Sequence, residues 1–249
     1  MIKIIWESLV STEEFFKNLV IDENDRARAE RYIKAKGLFY HEQIKKKLLA
    51  WTNDNEIKYS QIASYYRYDK RIRMVLYKYI AYLEEFYRAG ILDAYCENTA
   101  QKFWINEIAE KLNKEVPLNV IIENLGFKEL IKQMKQMPYH IKQKCNFLEK
   151  GWFNKNVCAL NDLRNAVMHN KFLLMYRGFS YCYFNNKKGS SLRDNINNLI
   201  SFLPENVGKQ CEIDIANCVE NRNTAYDTEW DLPPQAIVSL KYNEQIQKK

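Results

Sequence analysis

The residues best suited to chemistry lie together in the segment Asn161-Asp-Leu-Arg-Asn-Ala-Val-Met-His-Asn170. The chain has three histidines, at positions 41, 140 and 169, and His169 is the one accompanied by an acid, an arginine and an amide. If the segment is helical, residues follow one another at about 100°, so Asp162, Asn165 and His169 fall within roughly 60°. The spacing therefore predicts an acid, an amide and an imidazole on one helix face.

The opposite side of the same helix is apolar. It carries Leu160, Leu163, Val167 and Leu174 and is expected to pack into the core. Arg164 projects about 140° away from His169 on this helix. Its long side chain either curls back toward the histidine or meets a second copy of the motif on another subunit, and the sequence leaves both arrangements open.

Metal-independent cleavage of RNA requires few groups, and this segment contains them. A base takes the proton from the ribose 2′-hydroxyl, an acid protonates the leaving 5′-oxygen, and a cation offsets the charge on the phosphorane. Histidine suits the proton transfers near neutral pH, and arginine suits the phosphate because its charge is permanent and its donors are forked. Asn165 would hold the imidazole or the phosphate by hydrogen bonds.

One histidine cannot easily act as base and acid at two oxygens in one turnover. We therefore predict two copies of the site and hence a homodimer. The alternative is that His169 is an ordinary helix histidine, satisfied by its neighbours. The joint occurrence of Arg164, Asn165 and His169 favours the chemical interpretation, since three such residues at fixed positions arise by chance in roughly one chain of this length in a hundred.

The composition favours an all-α fold. Seven Gly and five Pro among 249 residues provide few tight turns, whereas a sheet-rich fold needs many. Helical periodicity and capping residues predict helices over residues 12–20, 22–36, 38–51, 68–92, 103–113, 118–125, 127–137, 139–149 and 191–202, with the motif helix running from residue 154 or 156 to about 176. Residues 237–242 are predicted to form a strand that pairs with residues 2–6.

These elements are expected to form one large helical core with additions at both ends. The predicted division is an N-terminal helical extension at residues 1–54, a helical core at 55–203 and a C-terminal appendage at 204–249. Neither a secretory leader nor a membrane-spanning run is predicted. Six scattered cysteines without a CxxC pair predict neither a zinc site nor a secreted disulfide framework, so a cytoplasmic location is expected.

The motif of Arg164, Asn165 and His169 on a late helix of an all-α chain resembles the RNxxxH signature of the HEPN superfamily. Residues 65–73 and 79–88 resemble the earlier helix of the Abi-like (AbiD/AbiF) abortive-infection proteins. The resemblance implies a HEPN-like helical bundle and a metal-independent endoribonuclease that needs no cofactor. It also implies dimerisation through the motif helices and a role in bacterial phage defence or a toxin–antitoxin pair.

The resemblance also bears on partners, and it covers about residues 55 to 176. Some AbiF-like proteins associate with a small noncoding RNA and are similar to ancestors of the RNA-guided CRISPR effectors that cleave RNA. Those effectors carry two motifs in one chain. Here there is one, because neither His41 nor His140 follows an Arg-Asn pair at the required spacing. This difference favours either a dimer or a catalytically silent protein.

The site residues expected from motif and resemblance fall into three groups. The catalytic residues are Arg164, Asn165 and His169. The supporting residues are Asp162, Glu84 and Arg88, although the last two, four residues apart, also fit an ordinary helix ion pair. The expected RNA-binding residues, interleaved with tyrosines, are Arg67, Lys70, Arg71, Arg73 and Lys78. A net charge of +7 permits an RNA partner, and solubility explains it equally well.

Three classes of function remain open at this point. The leading hypothesis is an RNA-cleaving toxin or effector. The second is a protein that binds a structured RNA without cleaving it, which would use the same basic and tyrosine-rich surface. The third is a helical interaction protein, which leaves the motif unexplained. Gly-rich phosphate loops, acyl-transfer triads and carboxylate pairs for two metals are not found in the sequence.

Overall fold

The structure, a computed structural model, describes residues 11–17, 19–52, 56–96, 104–147, 153–180, 189–219 and 232–240. Within these ranges the protein is all-α, which confirms the fold class predicted from the sequence. The described residues form two compact units. The first comprises those up to Lys70 and from Val219 to Ile237, and the second those from Arg71 to Cys218 and beyond Val238. The division into 1–54, 55–203 and 204–249 stays a prediction.

The first unit is built from short helices and one pair of two-residue strands. Its elements are α1 (Thr12–Phe16), β1 (Leu19–Val20), α2 (Glu23–Lys36), α3 (Leu38–Thr52), β2 (Ile57–Lys58) and the first part of α4 (Tyr59–Cys96). β1 and β2 pair in parallel, with Leu19 opposite Ile57. Asp22 caps α2 by accepting a hydrogen bond from the Asp25 N–H (2.8 Å). The predicted helix over residues 12–20 is too long, because Lys17 is already extended and Leu19–Val20 form β1.

The core of the first unit buries a histidine among aromatic rings. His41 is almost fully buried, and its Nδ1 lies 2.9 Å from the Gly37 carbonyl oxygen. Its ring contacts those of Phe15, Tyr59 and Tyr66 at centroid distances of 6.0, 6.4 and 4.8 Å. Burial disfavours the charged imidazolium and lowers the pKa of His41, while the hydrogen bond to Gly37 opposes this effect.

The second unit consists of helices around the rest of α4. They are α5 (Asn106–Leu112), α6 (Leu118–Glu123), α7 (Phe127–Gln136), α8 (Tyr139–Lys144), α9 (Phe153–Met168), α10 (Leu192–Phe202) and α11 (Glu205–Ala216). α9 packs against α7 and α10, and α10 packs against α11. One face of α4 is fully apolar and buried, with Leu76, Ile80, Leu83, Tyr87 and Ile91 at spacings of three and four residues.

Several predicted boundaries are wrong. α4 begins at Tyr59 rather than 68 and continues to Cys96, and α9 ends at Met168 rather than near 176. α11 was not predicted at all. Residues 237–240 form no strand, while residues 2–6 and 241–242 lie outside the described residues. The sequence of residues 181–184 predicts a short extended piece, and these residues also lie outside the described ones.

Two further features of the described residues are the character of the helices with respect to membranes and the state of the cysteines. None of the helices there combines the length and the apolar character needed to cross a membrane. Cys145, Cys211 and Cys218 are buried free thiols, whereas Cys96 and Cys158 are exposed. The described cysteines are therefore all free.

The first prediction concerns acid sensitivity of the first unit. The folded state holds His41 with a lowered pKa, so it resists the proton that the unfolded chain accepts near the ordinary value of 6.5. Stability from this group is fully present above about pH 6.5 and is lost as the pH falls below it, by at most about 1.4 kcal/mol per pH unit. Urea denaturation between about pH 7 and pH 5 should show this slope, and His41→Gln should flatten it. The exposed His140 provides the control, since His140→Gln should keep the slope.

The second prediction concerns Gly90, which lies inside α4 rather than at its end. A Cβ at this position would overlap the Sγ of the buried Cys145. Alanine normally stabilises a helix interior by about 1 kcal/mol relative to glycine. Here we expect Gly90→Ala to destabilise the fold by about 1–3 kcal/mol in chemical denaturation, because the core is overpacked.

The matched control for Gly90 removes the obstructing atom. In a Cys145→Ala background the nearest remaining atom of residue 145 lies 3.9 Å from the new Cβ, an ordinary contact. Gly90→Ala should then be neutral or stabilising. An equal loss of stability in both backgrounds would contradict the proposed steric cause.

Candidate active site

The motif residues lie at the C-terminal end of α9, and the end of this helix decides where His169 stands. Asn170 adopts a positive φ of 53°, its N–H donates to the Val167 carbonyl (3.1 Å), and the Lys171 N–H donates to the Ala166 carbonyl (2.9 Å). These two hydrogen bonds form a Schellman motif with His169 as the last, half-helical residue. The imidazole is therefore exposed at the tip of the helix.

Arg164 lies one turn before this tip and is half-buried. Its Nε donates to Glu84 Oε1 at 3.0 Å, and its Nη1 lies 3.5 Å from Asn165 Oδ1, at the long limit of a hydrogen bond. Its guanidinium carbon lies 5.9 Å from the centroid of the Phe127 ring. The guanidinium thus contacts Glu84 and Asn165 within one chain. Its approach to His169 or to a second copy of the motif stays a prediction.

Glu84 is the residue that holds Arg164. Its side chain is 10% exposed and contacts two arginines, with Oε1 on Arg164 and Oε2 on Arg88 Nη2 at 3.2 Å. Arg88 Nη2 also donates to the Leu125 carbonyl at 3.3 Å. Glu84 and Arg88 are therefore more than a pair on one helix, because their ion pair extends from α4 to α9. One carboxylate between two guanidinium groups leaves a net charge of +1.

Asp162 has a different role from the one expected of an acid near the histidine. Its Oδ2 accepts a hydrogen bond from the backbone N–H of Ser180 at 2.9 Å. Asp162 is half-buried and lies two turns before His169 on the same face of α9. The carboxylate therefore holds the chain that follows the helix.

The expected RNA-binding residues all lie on α4, and several have partners within the chain. Arg67 donates to Ser64 Oγ (3.0 Å), Arg71 to the Cys218 carbonyl (3.3 Å), and Lys78 pairs with Asp214 Oδ2 (2.9 Å). Lys70 is exposed and Arg73 half-buried. Of the tyrosines between them, Tyr65 and Tyr68 are buried and Tyr77 is 55% exposed. Their role in RNA binding stays a prediction.

Some contacts of the site were not expected from the sequence. Phe127, the Leu125 carbonyl and the Ser180 N–H each contact a motif or supporting residue. Phe127 is separated from Arg164 by 37 positions, and no local periodicity links them. The sequence offered one indication of this cluster, the spacing of Glu84 and Arg88. It predicted an ion pair within one helix, but not that Arg164 joins it.

Searches against protein-family models, curated proteins and solved structures find no match for this chain. The site must therefore be interpreted from its own geometry. Among the described residues, no three His, Cys, Asp or Glu side chains are grouped so as to hold a metal ion.

The third prediction tests the link between α4 and α9. Glu84→Gln keeps the shape of the side chain but leaves two half-buried guanidinium groups without their counter-charge. We expect a loss of about 1–3 kcal/mol in the free energy of unfolding, measured by chemical denaturation. Glu85→Gln is the matched control, since Glu85 is the exposed neighbour on the same helix, and it should change stability by less than about 0.5 kcal/mol. Equal effects of the two variants would contradict a special role for Glu84.

Proposed function

We propose that this protein is a metal-independent endoribonuclease of the HEPN type. The observation that carries the proposal is the placement of Arg164. Glu84 holds its guanidinium 3.5 Å from Asn165 Oδ1, and the helix that carries both residues ends at the exposed His169. A fixed cation, a hydrogen-bonding amide and a solvent-accessible imidazole are three of the groups that cleavage by the 2′-hydroxyl uses.

The proposed reaction is an in-line transfer within the RNA. The ribose 2′-oxygen attacks the adjacent phosphorus while its proton passes to a base, and the bond from phosphorus to the 5′-oxygen breaks. That oxygen takes a proton from an acid, and the products are a 2′,3′-cyclic phosphate and a free 5′-hydroxyl. His169 serves one of the proton transfers, Arg164 stabilises the phosphorane, and Asn165 orients the phosphate or the imidazole.

The geometry supports Arg164 as the group that meets the phosphate. Its cluster with Glu84 and Arg88 has a net charge of +1, so it attracts an anion. Half-burial strengthens the attraction between such a charge and an anion, compared with a fully solvated charge. Guanidinium is suited to this place because it stays protonated when it is partly desolvated.

The second proton-transfer group is proposed to come from another copy of the chain. Each chain has one motif histidine, and the two transfers occur at different oxygens. We therefore propose a homodimer in which two helix ends meet at the scissile phosphate. In this proposal the protein acts in the bacterial cytoplasm as a toxin or phage-defence effector, and a small noncoding RNA guides or restrains it.

A second candidate function is RNA binding without cleavage. The observation that favours it is the ion pair itself, since Glu84 already neutralises part of the charge that Arg164 would offer to a phosphorane. A chain with one motif that never dimerised would also lack the second proton-transfer group. Such a protein would assemble with a structured RNA through the basic residues of α4.

The fourth prediction separates these two functions. Wild-type protein in EDTA, incubated with mixed single-stranded RNA, should produce fragments ending in 2′,3′-cyclic phosphate. His169→Ala and Arg164→Ala should each reduce the rate constant for cleavage by about a hundredfold or more, because each removes a group that acts in the transition state. Both variants should also relieve any growth defect caused by expression.

The control for this experiment is His140→Ala, an exposed histidine outside the motif. It should cleave like the wild type. Full activity of purified His169→Ala would exclude the proposed mechanism. Absence of cleavage together with a discrete co-purifying RNA would instead support the binding function.

A further inference from the structure

The chain that leaves α9 turns back along the face that carries the motif. It departs after Met168, and the Ser180 N–H returns to the carboxylate of Asp162 at 2.9 Å. Asp162 precedes His169 by seven residues, which is about 10 Å along a helix axis. The segment from His169 to Ser180 therefore runs beside the candidate site from its tip to a point two turns inside.

This segment is held by its own buried residues. Phe172, Leu173 and Tyr176 are buried, and the Tyr176 N–H donates to the Leu173 carbonyl at 2.8 Å. Gly178 is fixed on both sides, since its N–H donates to the Ser190 carbonyl (3.1 Å) and its carbonyl accepts from Gly189 (2.8 Å). The exposed side chains of this segment therefore project from a backbone that is held in place.

The exposed residues of the segment are an aromatic ring and cations. Phe179 is 74% exposed, more than any other large apolar side chain in the described part of the chain. The Lys171 Nζ lies 5.9 Å from the centroid of the Phe179 ring, and both Lys171 and Arg177 are exposed. Residues 169–180 contain no Asp or Glu, so the segment itself contributes cations, and the nearby carboxylate of Asp162 is bound to the Ser180 N–H.

We propose that Lys171, Arg177 and Phe179 form a subsite that binds an unpaired nucleotide next to the scissile position. A base stacks on the open face of Phe179, and the phosphate that follows it contacts Lys171 or Arg177. This inference rests on the proposed function, and it adds the residues that hold the nucleotide beside the scissile phosphate. It differs from the expected RNA surface on α4, which lies on another element.

The chemistry of the subsite favours a nucleotide over other ligands. A ring beside a cation, without an acid in the segment, matches a flat base joined to a phosphate. Stacking is tolerant of sequence because every base has a π-face. The bases of a double strand are stacked on one another and would not reach the ring. The unpaired bases of single-stranded RNA can splay out and stack on it.

The test measures binding apart from cleavage, in full-length protein carrying His169→Ala. The probe is a short fluorescent single-stranded RNA of mixed sequence, and the readout is its anisotropy. In this background Phe179→Leu should weaken binding by about tenfold, whereas Phe179→Trp should retain it, because the indole restores a stacking surface. Tyr139→Leu is the matched control, since Tyr139 is another strongly exposed aromatic (69%) of the same unit, and it should bind like the parent.

The contribution of the lysine has a separate signature. Lys171→Gln should lower the slope of log Kd against log salt by about 0.7, the amount expected for one phosphate contact on a single strand. A change in affinity without a change in slope would exclude a phosphate contact of Lys171, and Arg177→Gln tests the other cation in the same way. Unchanged slopes in both variants would exclude a phosphate contact in the subsite.

The outcomes separate this inference from the proposed function. If the His169-containing protein cleaves RNA and Phe179→Leu neither weakens binding nor slows cleavage, the subsite is wrong and the ribonuclease stands. If binding depends on Phe179 and no cleavage is found, the ribonuclease and with it the scissile position fall, and the nucleotide-binding site alone stands. Absence of any RNA binding by the parent overturns the subsite. A changed native mass of Phe179→Leu with unchanged RNA affinity also overturns it, because the ring would then contact protein.

Discussion

The carboxylate of Glu84 is the constraint on which the candidate site depends. It lies between Arg88 of its own helix and Arg164 of α9, and at 10% exposure it is largely removed from water. A carboxylate in this position is stable only with its counter-charges, and two guanidinium groups 23% and 25% exposed are equally dependent on it. The three charges therefore form one unit that aligns two helices. The Glu84 carboxylate therefore fixes the guanidinium of Arg164. It thereby also fixes the position of this guanidinium relative to the side chain of Asn165.

The second determinant of the site is the way in which α9 ends. The left-handed conformation of Asn170 stops the helix one residue after Met168 and leaves His169 at its exposed tip. Had the helix continued to about residue 176, the imidazole would lie within a helix that packs on both sides. The same turn directs the following chain back to Asp162. A single local event thus exposes the proposed proton-transfer group and positions the segment proposed to bind the substrate.

The sequence predicted the class of the fold and the common face of the motif, because both follow from local periodicity. It predicted α2, α3 and α10 closely, since each has a clear start signal or apolar spacing. It missed α11, where Gly208 interrupts a mixed polar segment; this glycine lies close to α10, since a Cβ there would lie 3.2 Å from Cγ2 of Ile200. Local sequence patterns could not identify Glu84 as the partner of Arg164, because the two residues are 80 positions apart. Asn170 tolerates the left-handed region better than most residues, and this weak preference did not outweigh the apolar pattern that continued to Leu174.

The electrostatics of the site also explain why one chain carries only part of the proposed chemistry. A phosphorane is best stabilised by a charge whose position does not change, and burial with Glu84 fixes that of Arg164. Proton transfer requires a group that the substrate can contact, and His169 is exposed at the helix tip. In an in-line transfer the entering and the leaving oxygen lie on opposite sides of the phosphorus. The geometry of in-line attack therefore favours a second helix end, and since the chain has one motif, a second copy of the chain is the simplest source.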